Sequence, residues 1–151
     1  MFKGLMEIDK KHGIFNNYPF GVPTSSVLNS AQQWDFPNIW PVNFSPICAP
    51  RLFKFIYRMQ KFAFDKAQQW LSANYKLYKS CQNFMWMKMA AQTGTPGAKG
   101  DFHAQLGFGW TNGAVLDLLV KYGDKMTLTQ MPDVNCSKMT KDPEPEVFPP
   151  E

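Results

Sequence analysis

Apolar positions follow one long helical period, then one short one, and elsewhere show no period at all. From Arg51 to Ala91 the chain contains neither Pro nor Gly. Within that stretch Phe55, Met59, Phe62, Ala63, Ala67, Trp70, Leu71 and Tyr78 repeat at the i, i+3, i+4, i+7 spacing of an amphipathic helix. The segment is too long for one ordinary helix, so the spacing predicts a helix or broken helix pair over 52–90, interrupted between Ser72 and Tyr78. A second helix is expected to start at Thr111 or Asn112, both acceptable N-caps. Its apolar face is read as Val115, Leu118, Leu119 and Tyr122, and Gly123 suits the position just past its end. The remainder reads as loop. Residues 13–50 carry Pro19, Pro23, Pro37, Pro41, Pro46 and Pro50, and residues 92–110 form a second, Gly-rich loop. Residues 1–12 read as an N-terminal extension. Residues 126–151, with five prolines and few apolar side chains, read as a disordered tail.

Composition narrows the class. The 151 residues are 44% hydrophobic and 19% charged, enough to bury a core. A net charge of +4 is too mild to mark a nucleic-acid binder by itself. Cys48, Cys81 and Cys136 are odd in number and widely spaced, which suggests reduced, incidental thiols and neither a disulfide framework nor a zinc site. No apolar leader follows Met1 and no run of 18 apolar residues occurs, so neither a signal peptide nor a membrane span is expected. The sequence assigns no compartment.

Two aromatic motifs carry the candidate chemistry. In Gln33-Trp34-Asp35-Phe36-Pro37-Asn38 the residue before proline is driven out of the α region. In Gly107-Phe108-Gly109-Trp110-Thr111-Asn112-Gly113 three glycines disfavour helix and strand interiors. Both segments are therefore expected to be irregular backbone. Aromatic faces beside polar tips suit flat polyhydroxylated ligands: the ring covers C–H surface and a carboxylate takes hydroxyls. The same residues also describe a rigid turn with packed aromatics.

Gly21-Val22-Pro23-Thr24-Ser25, the run Gln32 to Pro41 and the run Gly107 to Gly113 together resemble the C-terminal part of the α,α-trehalases, a glycoside hydrolase family. The resemblance spans residues 13–125 and is weakest over 42–62. Its most specific element is Gln-Trp-Asp-x-Pro-x-x-Trp-Pro, present as Gln33 to Pro41. The resemblance implies an all-α fold: part of an (α/α)6 barrel, or toroid, with long irregular loops. A complete barrel of twelve helices needs at least about 200 residues, so the chain reads as a truncated form. The family reaction is hydrolysis of trehalose to two glucoses with inversion, without metal or cofactor.

Inversion takes two carboxyl groups, one protonating the leaving oxygen and one activating water on the opposite face. No stretch here corresponds to the family region that holds the general acid and its basic sugar clamp. The family's binding carboxylate in the Gly-rich loop corresponds to Asp101, counting back from Gly107. Fifteen residues earlier, where the family has its general base, stands Trp86, or Met87 in a register that aligns Lys88. The resemblance thus implies substrate-binding roles for Asp101, Trp34, Asp35, Gln33 and Trp110, and no catalytic residue. Asp65 reads as a helix-surface partner of Lys61 or Arg58; His12 and His103 read as surface histidines.

Three functions follow as alternatives. The first is a trehalase-family chain, inactive alone. The second is a pseudoenzyme that binds trehalose or a glucose-like sugar weakly, self-associates, or docks onto an intact barrel. The third rests on Arg51, Lys54, Arg58, Lys61, Lys66, Lys76, Lys79 and Lys88 interleaved with Phe53, Phe55, Tyr57, Phe62 and Phe64, a basic aromatic helix able to meet an anionic membrane or nucleic acid. Nucleic acid is the less favoured partner.

Overall fold

The computed structural model describes residues 7, 9–11, 13–28, 30–41, 57–98, 100 and 104–138. Among them the fold is all-α with a small β element. Helix α1 is Tyr57–Ser80 and helix α2 is Gly109–Tyr122. Two-residue strands β1 (Asn38–Ile39) and β2 (Met89–Ala90) pair antiparallel, with Asn38 opposite Ala90 and Ile39 opposite Met89.

Helix α1 follows its apolar period. Ala63, Ala67, Trp70, Ala73 and Leu77 lie on its buried face. The expected break at 72–78 does not occur. Polar residues there bond back into the helix: Ser72 Oγ donates to the Gln68 carbonyl (2.8 Å) and Asn74 Nδ2 to the Trp70 carbonyl (2.9 Å). The helix stops instead at Gln82 and Asn83, both left-handed (φ 61° and 59°), and the Asn83 amide closes on the Tyr78 carbonyl at 3.1 Å. Residues 84–90, expected to be helical, are not: Trp86 forms an isolated bridge with Leu106 and Met89–Ala90 form a strand.

Helix α2 begins earlier than its sequence suggests. Phe108 is its N-cap, with no side-chain cap bond, and Gly109, Trp110 and Gly113 are helical, so irregular backbone ends at Phe108. Thr111 and Asn112 are spent elsewhere: Thr111 Oγ1 donates to the Trp86 carbonyl (2.7 Å) and Asn112 Nδ2 to the Gly107 carbonyl (3.2 Å). The Thr111 bond pins the first turn of α2 to the segment before β2, and the Asn112 bond ties it to the loop that leads into it. Val115 and Leu118 are buried, whereas Leu119 is 47% exposed, contrary to its expected place in the core. Gly123 follows the helix in right-handed conformation, so no left-handed cap is formed there.

The core joins Phe20, Val22, Ile39, Trp86 and Met89 from the loops to both helices. Phe64 of α1 meets Tyr122 of α2 edge-on at 6.0 Å. The N-terminal loop is tied to α1: Lys66 Nζ donates to the Phe15 carbonyl (2.6 Å), and Gln69 Nε2 to the carbonyls of Tyr18 (3.0 Å) and Pro19 (2.9 Å).

Residues 126–138 differ from the disordered tail expected there. Met126, Met131, Val134 and Cys136 pack against the core, and the segment ends in a 3-10 turn at Cys136–Lys138. Cys81 and Cys136 form a disulfide across 55 residues, with Cα atoms 5.8 Å apart. Spacing suggested free thiols; the pairing arises because α2 reverses the chain and returns it along α1. Cys48 lies outside the described residues.

Candidate functional site

A turn at residues 32–38 builds the first wall of the site. The Asp35 amide donates to the Gln32 carbonyl (3.1 Å) and the Asn38 amide to the Asp35 carbonyl (3.0 Å). The Gln33 carbonyl accepts both Asn38 Nδ2 (3.0 Å) and Trp40 Nε1 (2.8 Å). One backbone oxygen therefore fixes the Trp40 indole and the amide that starts β1.

Trp40 is the centre of an aromatic cluster. Trp34 lies on it at 4.2 Å between centroids with planes 32° apart. Trp110 and Phe108 approach it edge-on at 6.3 and 6.4 Å, and they are 5.7 Å from each other. Trp40 itself is buried, but Trp34 and Trp110 are 38% and 55% exposed. The two motifs, some seventy residues apart in sequence, thus meet on either side of one ring and present a partly open aromatic surface.

The antiparallel register brings Lys88 toward Trp40. Its ammonium lies 5.8 Å from the ring centroid, and its side chain is buried. Burial pushes its amine below the usual lysine range. Gly97 donates its amide to the Lys88 carbonyl (2.9 Å). A Cβ at Gly97 would collide with the Asn38 amide oxygen and the Lys88 stem, and one at Gly100, where φ is +94°, would strike Gln33. The Gly-rich loop therefore closes directly over the Gln33–Asn38 turn.

Of the five residues expected to bind, Gln33, Trp34, Asp35 and Trp110 belong to this turn and cluster. Asp101, with His12 and His103, lies outside the described residues. Trp86 and Met87 are buried. Trp86 pairs with Leu106 in an isolated bridge, and the Met87 amide donates to the Gln105 carbonyl (2.9 Å). Among the described residues, the buried Gln33 Oε1, Asn38 Oδ1 and Trp86 Nε1 atoms have no hydrogen-bond partner. Sequence reading missed Trp40, Lys88, Asn38 and Phe108 as members of the site. Trp40 and Asn38 stand inside the recognised pattern, so the signal was there; Lys88 looked like one more base on a helix.

The basic aromatic helix is largely committed internally. Phe62 packs edge-on against Phe15 at 5.5 Å. Lys61 pairs with Asp65 (2.9 Å) and Lys76 with Asp133 (2.7 Å), while Lys66 reaches Phe15. Arg51, Phe53, Lys54 and Phe55 lie outside the described residues. Among the described residues no helix is long and apolar enough to cross a membrane.

Comparison with known proteins gives the family. The family model described as Trehalase matches residues 2–123, so residues 2–12, read as an extension, fall inside it. Trehalase from Homo sapiens is 40% identical over 111 residues, covering 73% of this chain and 19% of the relative. Trehalase from Apis mellifera is 37% identical over 108 residues, covering 71% and 17%. Trehalase from Bombyx mori is 34% identical over 129 residues, covering 85% and 22%. The chain belongs to the trehalase family. It spans about a fifth of the length of the curated relatives it matches.

Proposed function

We propose that these residues form a trehalose-facing portion of a trehalase fold, part of an (α/α)6 barrel, that binds trehalose or a glucose-like sugar and does not hydrolyse it alone. The observation that carries this reading is the meeting of Trp34 and Trp110 around Trp40, in a chain whose two alternative general-base positions are the buried, apolar Trp86 and Met87. Exposed indole surface covers the C–H face of a pyranose. The Asp35 carboxylate and the Asp101 carboxylate of the loop supply acceptors for hydroxyls. Neither Trp86 nor Met87 can take a proton from water, and general-base catalysis is worth about 10²–10⁴ in rate.

The test is thermal unfolding with and without trehalose. A ligand that binds only the folded state at ten times its Kd adds about 1.4 kcal/mol, so the melting temperature rises with trehalose and not with an equal concentration of a non-sugar osmolyte. An equal rise with both would refute the reading, and a Trp34→Ala chain should lose the trehalose-specific part.

A second reading rests on α2. Leu116, Leu119 and Val120 are exposed at i, i+3, i+4 spacing, a continuous apolar face. The matched relatives are about four times as long as this chain, which supports docking of this face onto the rest of a trehalase-type barrel. Self-association through that face would appear in light scattering and disappear in a Leu116→Lys, Val120→Lys chain.

A further inference from the structure

We propose that residues 124–138 form a reducible latch: an extended strap along α1, held shut by the Cys81–Cys136 disulfide and released when that bond is reduced. The strap lies beyond the family match, which ends at residue 123. Its contacts with α1 run in one order. The Thr127 amide donates to Gln68 Oε1 (3.0 Å), the Thr129 amide to Ser72 Oγ (3.0 Å), Asp133 accepts from Lys76 Nζ (2.7 Å), and Cys136 bonds Cys81. Gln68, Ser72 and Lys76 are four residues apart and so form one stripe of the helix. The strap runs parallel to α1. The helix rises about 20 Å from Gln68 to Cys81, well within the reach of extended chain between Thr127 and Cys136.

The non-covalent hold on this strap is a short set of polar contacts and partly buried apolar side chains. Asp133 is fully exposed at the surface, where an ion pair contributes little. Met126, Met131 and Val134 are only partly buried. The Thr127 and Thr129 amides bond α1 side chains, and the Lys125 and Met126 amides both bond the Tyr122 carbonyl (2.9 Å each). Among the described residues the disulfide is the strap's covalent tie to α1, and its two cysteines are unequally buried: Cys81 is buried just past the end of α1, whereas Cys136 is partly exposed. A dithiol reductant therefore reaches the Cys136 sulfur first. Its thiolate attacks that sulfur, the S–S bond breaks, and Cys81 leaves as a thiolate that takes a proton. The reductant's second thiolate then attacks its own sulfur in the mixed disulfide and frees Cys136. Two protein thiols and one oxidised, cyclic dithiol result. Without that covalent tie the strap opens more often, because its remaining contacts are polar bonds at or near the surface and partly buried side chains.

Non-reducing peptide mapping and amide hydrogen exchange test this on the full chain. A Cys81–Cys136 linked peptide is expected after air oxidation. Dithiothreitol, or Cys136→Ser, should speed exchange at the Thr127 and Thr129 amides at least about tenfold by raising local opening. Amides from Trp70 to Leu77 should keep their protection. Asp133→Asn, which spares the disulfide, should change strap exchange far less. Absence of the linked peptide overturns the proposal. So does unchanged strap protection after reduction, or a matching loss along α1, which would make the bond a staple of the whole fold.

Discussion

Trp40 shows what one residue can decide. Its ring is held by the Gln33 carbonyl, flanked by Trp34 and Trp110, and faced by the buried Lys88. Its membership in the recognised pattern was legible. Its central position was not, because that depends on the β1–β2 register, which two-residue strands scarcely announce. Lys88 leads to a pH prediction. Burial lowers its amine from the ordinary value of 10.5, and lowers that of Lys66 despite the opposing charges of Asp9 and Asp65. Between the lowered values and 10.5 the unfolded chain binds more protons than the folded one. Stability should therefore rise with pH across that window. Denaturant titrations should show a smaller rise for Lys88→Met, and an identical slope would count against burial of the amine. Leu118 and Leu119 make a second pair. Spacing alone could not rank neighbours on a helix edge, but burial does. Leu118→Ala should cost about 2–5 kcal/mol, and Leu119→Ala less than about 1 kcal/mol, by equilibrium denaturation.

At the scale of elements, the long helical period of α1 and the short one of α2 were readable because buried faces repeat with the helix turn. The ends were not. Ser72 and Asn74 satisfied themselves within α1, so polar residues that suggested a break caused none. Thr111 looked like a cap but bonds Trp86, which let α2 start at Gly109. The strap was illegible for a different reason: its few apolar side chains gain from a surface that only α1 and α2 together create. Truncation separates its parts. A chain ending at Lys138 should retain the melting temperature of the full chain far better than one ending at Lys125, which loses Met126, Met131, Val134 and the disulfide. Equal losses would mean that residues 126–138 contribute nothing to the fold.

For the molecule as a whole, family membership was legible from the Gly21–Ser25, Gln32–Pro41 and Gly107–Gly113 runs, and the comparisons agree over most of the chain. The aromatic cluster supports the proposed sugar contact, and the two positions proposed to correspond to the general base hold the buried Trp86 and Met87. Binding surface and chemistry are separable in such a fold, since one needs only ring faces and acceptors and the other needs two placed carboxyl groups. The most direct test is release of glucose from trehalose by the purified 151-residue chain. The expected result is no glucose above the uncatalysed background at any pH where the chain is folded. Clear turnover that disappears in Asp101→Asn would contradict the account, because it would give the loop carboxylate a catalytic role that this reading denies it.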